Sequence, residues 1–219
     1  MKFYIPPNLQ SSFLDVLKSD VATSLPLNFD PKVIIRAIVP EIDHREKSST
    51  VAKGTKYSYA STEIPLEIGD YLQDDNGIYL INQLRIQKFP ACFKFLMIDC
   101  NSKFTITRYE NMVQDDDGNI ITPAGDNPIA TDIYCSSLVS GAQFQISSGA
   151  VGVVPVDTVT VQTRFTVAET KNIAIGDNFM WFSQKYMVQS LDYSQVSIDG
   201  NSGLLGFTGK RVVTDATSI

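Results

Sequence analysis

Ile68-Gly69-Asp70 is followed, nine residues after the aspartate, by Tyr79-Leu80-Ile81 and then by Leu84. Glycine provides an open backbone for a turn, and aspartate can accept a hydrogen bond from a nearby backbone N–H. The Tyr strand would then return from a hairpin tip with its apolar side chains toward a core. The same arrangement occurs again, 107 residues later at every matched position, as Ile175-Gly176-Asp177, Tyr186-Met187-Val188 and Leu191.

The constant offset indicates an internal duplication, with two similar β modules joined near residues 110–130. Convergence of two unrelated hairpins on common turn residues is the alternative. The segment Gln114–Asn127 is rich in Asp, Gly and Pro, which is typical of turns and of a domain boundary. We therefore expect a first β module with an N-terminal helix over residues 1–112 and a second β module over residues 113–219.

Composition and periodicity predict an all-β protein. Hydrophobic residues are 43 % of the 219 and charged residues only 19 %, below the usual ~25 %. Val33–Val39 is a continuous apolar run, as in a strand buried on both faces, and alternation at positions 159–167 is the clearest strand. Asn76-Gly77 favours a hairpin turn with positive φ at both residues. Ser11–Lys18 is the helix candidate, so we expect two tandem small β-barrel or β-sandwich modules with a short N-terminal helix.

The charge of the chain argues against a protein that grips nucleic acid. The net charge is −6 with a pI near 4.7, and no run of Lys and Arg is present. Binding to phosphates requires a basic surface, whereas an acidic surface repels DNA and suits a passage. The N-terminus lacks the apolar core of a signal peptide, and no stretch approaches the length of a membrane span. Cys92, Cys100 and Cys135 are predicted to be reduced thiols in a protein made in the cytosol.

No catalytic, cofactor-binding or metal site is predicted, and the chain is not expected to be an enzyme. His44, the single histidine, sits in a charged segment and is interpreted as a solvated loop residue. Asp115–Asn119 lacks the alternating acids and the final Glu of a calcium loop and is interpreted as a polar turn. Gly203–Arg211 has no Ser or Thr after its lysine, so it is interpreted as a Gly-rich turn and not as a phosphate loop.

Trp181-Phe182 is predicted to lie at the tip of the second hairpin. Exposed aromatic side chains at a loop tip often mark a contact surface. Folding of both rings back onto the module is the alternative, and the sequence does not decide between them.

The order Ile-Gly-Asp-Tyr, hairpin tip, Tyr79-Leu80-Ile81, Cys100-Asn101 and Phe104-Thr105-Ile106 resembles the small β-barrel head-closure, or stopper, proteins in the neck of tailed bacteriophages. The resemblance covers roughly residues 55–110 and, more loosely, 160–213. It implies a homo-oligomeric ring, six-fold in this family, at the head–tail connector of a virion assembled in the host cytoplasm. The ring's partners would be the portal-adaptor protein and the tail or tail-terminator protein.

In such a ring, double-stranded DNA passes through the channel without sequence-specific binding, and no membrane is involved. Function would reside in interfaces, with the loops Glu41–Lys56 and Gln114–Asn127 as candidate contacts with a neighbour or with the lumen. The alternatives are a tail-completion, distal-tail or baseplate subunit and, from a different class, a glycan-binding β-sandwich module that would use Trp181 and nearby aromatic residues.

Overall fold

The computed structural model describes residues 15–19, 22–39, 55–88, 91–117, 120–122, 124–139 and 158–212 of the 219-residue chain. Apart from a helical turn at residues 15–18 and the 3₁₀ turn Thr170–Asn172, the regular structure in these ranges is β. The expectation of an all-β chain with a short N-terminal helix is therefore confirmed. None of the described helices has the length and apolar character needed to cross a membrane.

Six antiparallel strands close the first barrel in the order β1-β2-β3-β6-β5-β4, with β4 pairing back onto β1. The strands are β1 (Thr23–Leu27), β2 (Asp30–Ile38), β3 (Thr55–Ala60), β4 (Tyr71–Asp74), β5 (Gly77–Lys88) and β6 (Ala91–Asp99). Closure pairs every strand on both sides, so the sheet has no free edge.

The second barrel has the order β7-β10-β11-β14-β13-β12, and β12 pairs back onto β7 to close it. A small sheet of β8 (Val113–Gln114) and β9 (Ile120–Thr122) lies between β7 and β10 in the chain. The barrel strands are β7 (Ser102–Glu110), β10 (Gly125–Val139), β11 (Thr158–Thr166), β12 (Asn178–Trp181), β13 (Gln184–Val196) and β14 (Ser202–Arg211).

The two barrels share one connectivity. Numbering the barrel strands from one to six in each module gives the order 1-2-3-6-5-4 both times. Strand β4 begins at Tyr71 and β12 at Asn178, while β5 begins at Gly77 and β13 at Gln184, so the offset of 107 extends to the strand boundaries. This is the outcome that the duplication hypothesis predicts, and it confirms two tandem β-barrel modules.

Each barrel encloses its own hydrophobic core. The first core includes Leu25, Leu72 and Phe95, and the second includes Ile106, Phe179 and Phe207, all fully buried. Small barrels of this strand number are filled by side chains and have no open lumen. Strand β11 shows the predicted alternation, with buried side chains at Val159, Val161, Thr163 and Phe165, whereas Val167 lies beyond its end and is exposed.

The predicted boundary between residues 112 and 113 is not where the compact units divide. They divide between Cys100 and Asn101, so β7 belongs to the second barrel. The segment Gln114–Asn127 connects β7 to β10, and Asp126 and Asn127 already pair with β7. It is therefore the elaborated tip of a hairpin within the second barrel. A solvent-exposed hairpin tip and a linker need the same turn residues, which is why composition alone did not separate them.

Strand β2 corrects a second expectation. Ile35 and Ala37 face the core, whereas Ile34 and Arg36 face outward, so the run Val33–Val39 is not buried on both faces. A strand in a closed barrel has only one inward face. The outward Arg36 donates hydrogen bonds to the carbonyl oxygens of Leu17 (2.7 Å) and Ser19 (2.6 Å), which holds the end of the helical turn against the barrel.

Two predicted loops also differ in their limits. Thr55 and Lys56 belong to β3, and residues 41–54, with His44, lie outside the described residues. The first hairpin pairs Asp74 with Gly77, so its central residues are Asp75 and Asn76. Neither is among the described residues with positive φ, and the Asp74 carboxylate accepts bonds from the N–H groups of Asn76 and Gly77. A side-chain-supported turn replaces the predicted Asn-Gly turn.

Candidate functional site

The repeated Gly-Asp turns have the same geometry in both barrels. Gly69 and Gly176 have φ of 92° and 97°, a region that favours glycine, and their N–H groups donate to Ile81 O (2.8 Å) and Val188 O (2.9 Å). The aspartate Oδ2 then accepts the N–H three residues earlier, from Glu67 to Asp70 (2.8 Å) and from Ala174 to Asp177 (2.7 Å). These are the roles that the sequence predicts for glycine and aspartate.

The partner of the buried aspartate is what differs between the copies. Asp70 accepts a bond from the neutral Asn28 Nδ2 (2.8 Å), at the turn after the first strand of its barrel. Asp177 is 1 % exposed and accepts two bonds from Arg108 on β7, from Nε (2.7 Å) and Nη2 (3.0 Å). The hydrogen bond to Asp177 raises the pKa of Arg108. Asp70 thus holds its turn to the turn that follows β1, and Asp177 holds its turn to β7.

The inward position of Leu84, the last residue of the first repeat, depends on a β-bulge. In β5, Tyr79 and Ile81 are buried, and the register with β6 shifts between Ile81 and Gln83. The shift returns Leu84 toward the core, where it packs at the edge of the cluster. Leu191, at the same position of the second repeat, packs against the second core. In β5, the spacing Tyr-x-apolar-x-x-Leu therefore reflects a bulged strand.

Asn101 closes one end of the second barrel through Ser137. Its Oδ1 accepts the Ser137 N–H (2.8 Å) and its Nδ2 donates to the Ser137 carbonyl (2.8 Å), so the amide imitates a strand residue. The Ser137 Oγ donates to Asn101 Oδ1 (2.9 Å) and accepts from Trp181 Nε1 (3.3 Å). The pair Cys100-Asn101 is visible in the sequence, but this network is not, because Ser137 lies 36 residues beyond Asn101.

Trp181 and Phe182 take opposite positions, so each of the two alternatives holds for one residue. Trp181 folds back, packs against the core and donates its indole N–H to Ser137. Phe182 lies at the hairpin tip with 80 % of its surface exposed and makes an edge contact with Trp181 (4.7 Å between centroids). Phe182 and Ser183 both have positive φ, 44° and 60°, as a type I′ turn requires.

The outer face of the same hairpin carries further apolar side chains. Met180 and Met187 are diagonal neighbours across β12 and β13, and they are 56 % and 36 % exposed. Ile175, next to the Gly-Asp turn, is 66 % exposed. We call Ile175, Met180, Phe182 and Met187 the hairpin patch.

The structure places two further sequence candidates, Asp115–Asp117 and Gly203–Arg211, in a turn and in a strand. Asp115 accepts the Asp117 N–H (3.1 Å) in a polar turn, as predicted, and no cluster of three metal-ligating side chains occurs among the described residues. The expectation for Gly203–Arg211 is wrong, because these residues lie within strand β14. Gly209 is in a strand because its position faces the core, where the Phe179 ring leaves no room for a side chain.

All three cysteines are free thiols, and Cys92 and Cys135 are buried. Burial, with a smaller contribution from Asp99, raises the pKa of Cys100 to about 12. The folded chain then keeps a proton that an unfolded thiol loses near pH 9, so this contribution to stability is complete below pH 9 and is lost as pH rises.

We therefore expect the free energy of unfolding to fall between pH 8 and pH 10 in the unchanged chain and to fall less in Cys100→Ser. Denaturant titration at both pH values measures the difference. An equal decrease in the two proteins would show that the thiol does not contribute.

No family model, curated protein or solved structure matches this chain.

Proposed function

We propose that this protein is a structural component of a tailed-phage neck, a head–tail connector or stopper that forms a ring around the DNA channel. Its partners are further copies of itself, with six as the expected number, the portal-adaptor protein, and the tail or tail-terminator protein. The role is structural and not enzymatic.

The positive φ and the high exposure of Phe182 are the observation that supports the proposal. A non-glycine residue in the left-handed region loses about 1–2 kcal/mol, and Gly or Asn is preferred at this place in a type I′ turn. The equivalent turn of the first barrel uses Asp75-Asn76 without positive φ at either residue. A phenylalanine that is both strained and 80 % exposed is unfavourable for the isolated chain. An aromatic anchor for another protein explains its presence.

The rest of the described surface agrees with an assembly role. The buried aspartates of both barrels are engaged in structural hydrogen bonds, and the cores are closed and apolar. Functional groups are therefore to be sought on the outside. The net charge of −6 supports a conduit that repels the DNA phosphates and does not hold them.

Phe182→Asn tests the proposal, because asparagine suits the turn and removes the aromatic anchor. We expect the full-length variant to be as stable as the unchanged chain or more stable by about 1 kcal/mol. We also expect it to lose the ring-sized complex that forms on mixing with the adaptor protein, measured by native mass spectrometry. The matched control is Phe29→Asn, in the type I′ turn of the first barrel, where Phe29 packs on Tyr71.

The alternatives give different results in the same experiment. A tail-completion, distal-tail or baseplate subunit would assemble with tail proteins and not with the adaptor. A glycan-binding module would remain a monomer and bind oligosaccharides in an array. A chain that remains monomeric with every neck protein would overturn the proposal.

A further inference from the structure

The distal parts of two equivalent hairpins, one in each barrel, carry opposite charges. The hairpins are formed by the fifth and sixth strands, β5–β6 in the first barrel and β13–β14 in the second. Residues 85–94 contain Arg85, Lys88 and Lys94 and no acidic residue. The residues at the offset of 107, 192–201, contain Asp192 and Asp199 and no basic residue, whereas Lys185, Lys210 and Arg211 lie at the opposite end of that hairpin. We call these two distal parts the basic arm and the acidic arm.

Each arm has an exposed apolar side chain among its charges. In the basic arm, residues 85–88 are all exposed, and Ile86 is 72 % exposed. In the acidic arm, residues 192–195 are all exposed, Tyr193 is 44 % exposed and Ile198 is fully exposed. None of the ion pairs among the described residues includes Arg85, Lys88, Asp192 or Asp199.

Both arms are ordered by hydrogen bonding. Beyond the bulge between Ile81 and Gln83, the basic arm keeps one register to its end, where Gln87 pairs with Cys92 and Lys88 with Ala91. In the acidic arm, Asp199 accepts bonds from the Ser197 hydroxyl and from the N–H of Asn201 (3.2 Å), and Gly200 has positive φ. These bonds lower the pKa of Asp199, which is therefore charged at neutral pH.

We propose that the basic arm of one copy binds the acidic arm of the next copy. The inference rests on the ring of the proposed function and assigns its subunit contact. Because the two arms are different surfaces of one chain, the contact is heterologous, and its repetition gives a ring when the rotation between successive copies closes and a filament when it does not. The exposed Ile86, Tyr193 and Ile198 would form an apolar centre, and the charges would set the register and the choice of partner.

Charge reversal tests the contact in the full chain. Arg85→Glu with Lys88→Glu makes the basic arm acidic. Asp192→Lys with Asp199→Asn makes the acidic arm basic and keeps an acceptor in its turn. We expect each variant to raise the dissociation constant for self-assembly, measured by sedimentation, by about tenfold or more. The chain with all four changes should assemble again, as should a mixture of the two variants.

The control is Lys32→Glu with Lys171→Glu, which changes the net charge as much as the basic-arm variant but lies outside both arms. Circular dichroism checks that each variant is folded. The unchanged chain offers a test that needs no substitution. If charges hold the contact, its dissociation constant for self-assembly should rise with ionic strength.

The outcomes separate this inference from the proposed function. Loss of assembly in each variant and its recovery in the combination support the arm contact. Assembly of the variants as tight as that of the unchanged chain overturns the contact but leaves the ring. The contact is also overturned if the chain with all four substitutions stays monomeric while the unchanged chain assembles. An unchanged chain that forms no ring, alone or with neck proteins, overturns both.

Discussion

Asp177→Ala should lower the free energy of unfolding of the second barrel by roughly 3 kcal/mol. The carboxylate is 1 % exposed, and it accepts the Ala174 N–H and two bonds from Arg108. Its removal leaves that N–H without its acceptor and the guanidinium without its counter-charge. The Arg108 side chain is 39 % exposed and can be hydrated in the variant. The decrease in the free energy of unfolding is therefore smaller than for a fully buried pair.

Asp70→Ala in the first barrel is the matched control. Its geometry is the same, but the partner is the neutral amide of Asn28, which keeps its bond to the Tyr71 N–H (2.9 Å). We expect about 1–2 kcal/mol there. Hydrogen exchange of β5 and β13 amides, with denaturant titration, reports the two barrels separately. An equal loss in both barrels would show that the Arg108 charge adds nothing to the turn.

Gly209→Ala should destabilise the second barrel by about 2–3 kcal/mol through overpacking. A Cβ at this position would lie 2.4 and 2.6 Å from two carbons of the Phe179 ring and 3.3 Å from Val159. The ring has little freedom to move, because it packs against Phe104 (4.9 Å) and Phe207 (5.6 Å) between centroids.

A double-mutant cycle with Phe179→Leu makes the explanation testable. The smaller side chain opens the space that the new methyl group needs, so the double variant should recover about 1–2 kcal/mol relative to the sum of the single changes. Gly125→Ala, in β10 of the same barrel, is the control, because its Cβ would meet nothing within 4 Å. Strictly additive effects of Gly209→Ala and Phe179→Leu would rule out the clash.

The repeated turn is the part of the fold that the sequence predicts best. Its glycine, its aspartate and its Tyr strand act locally, so a constant offset was enough to indicate two modules. The boundary was missed because a hairpin tip and a linker need the same polar residues. Gly209 was misplaced because its cause, the Phe179 ring, lies on another strand 30 residues away in the chain.

The candidate surfaces were less accessible to sequence reasoning. The pair Trp181-Phe182 is placed correctly at the hairpin, but only the folded structure shows that Trp181 packs against the core while Phe182 is exposed. Arg85 and Asp192 are separated by the repeat offset of 107, and the strand order shows that they lie on equivalent hairpins. Charge complementarity between distant segments has no local pattern that periodicity can detect.

The contiguous order of the strands has a consequence for synthesis. All six strands of the first barrel lie between Thr23 and Asp99, before the first strand of the second barrel begins at Ser102. At about 5–20 residues per second, translation gives the first barrel several seconds before the second is complete. Neither barrel has to wait for a strand from the other. A nascent chain can therefore bury its first core on the ribosome, which limits mispairing between two modules built to the same plan.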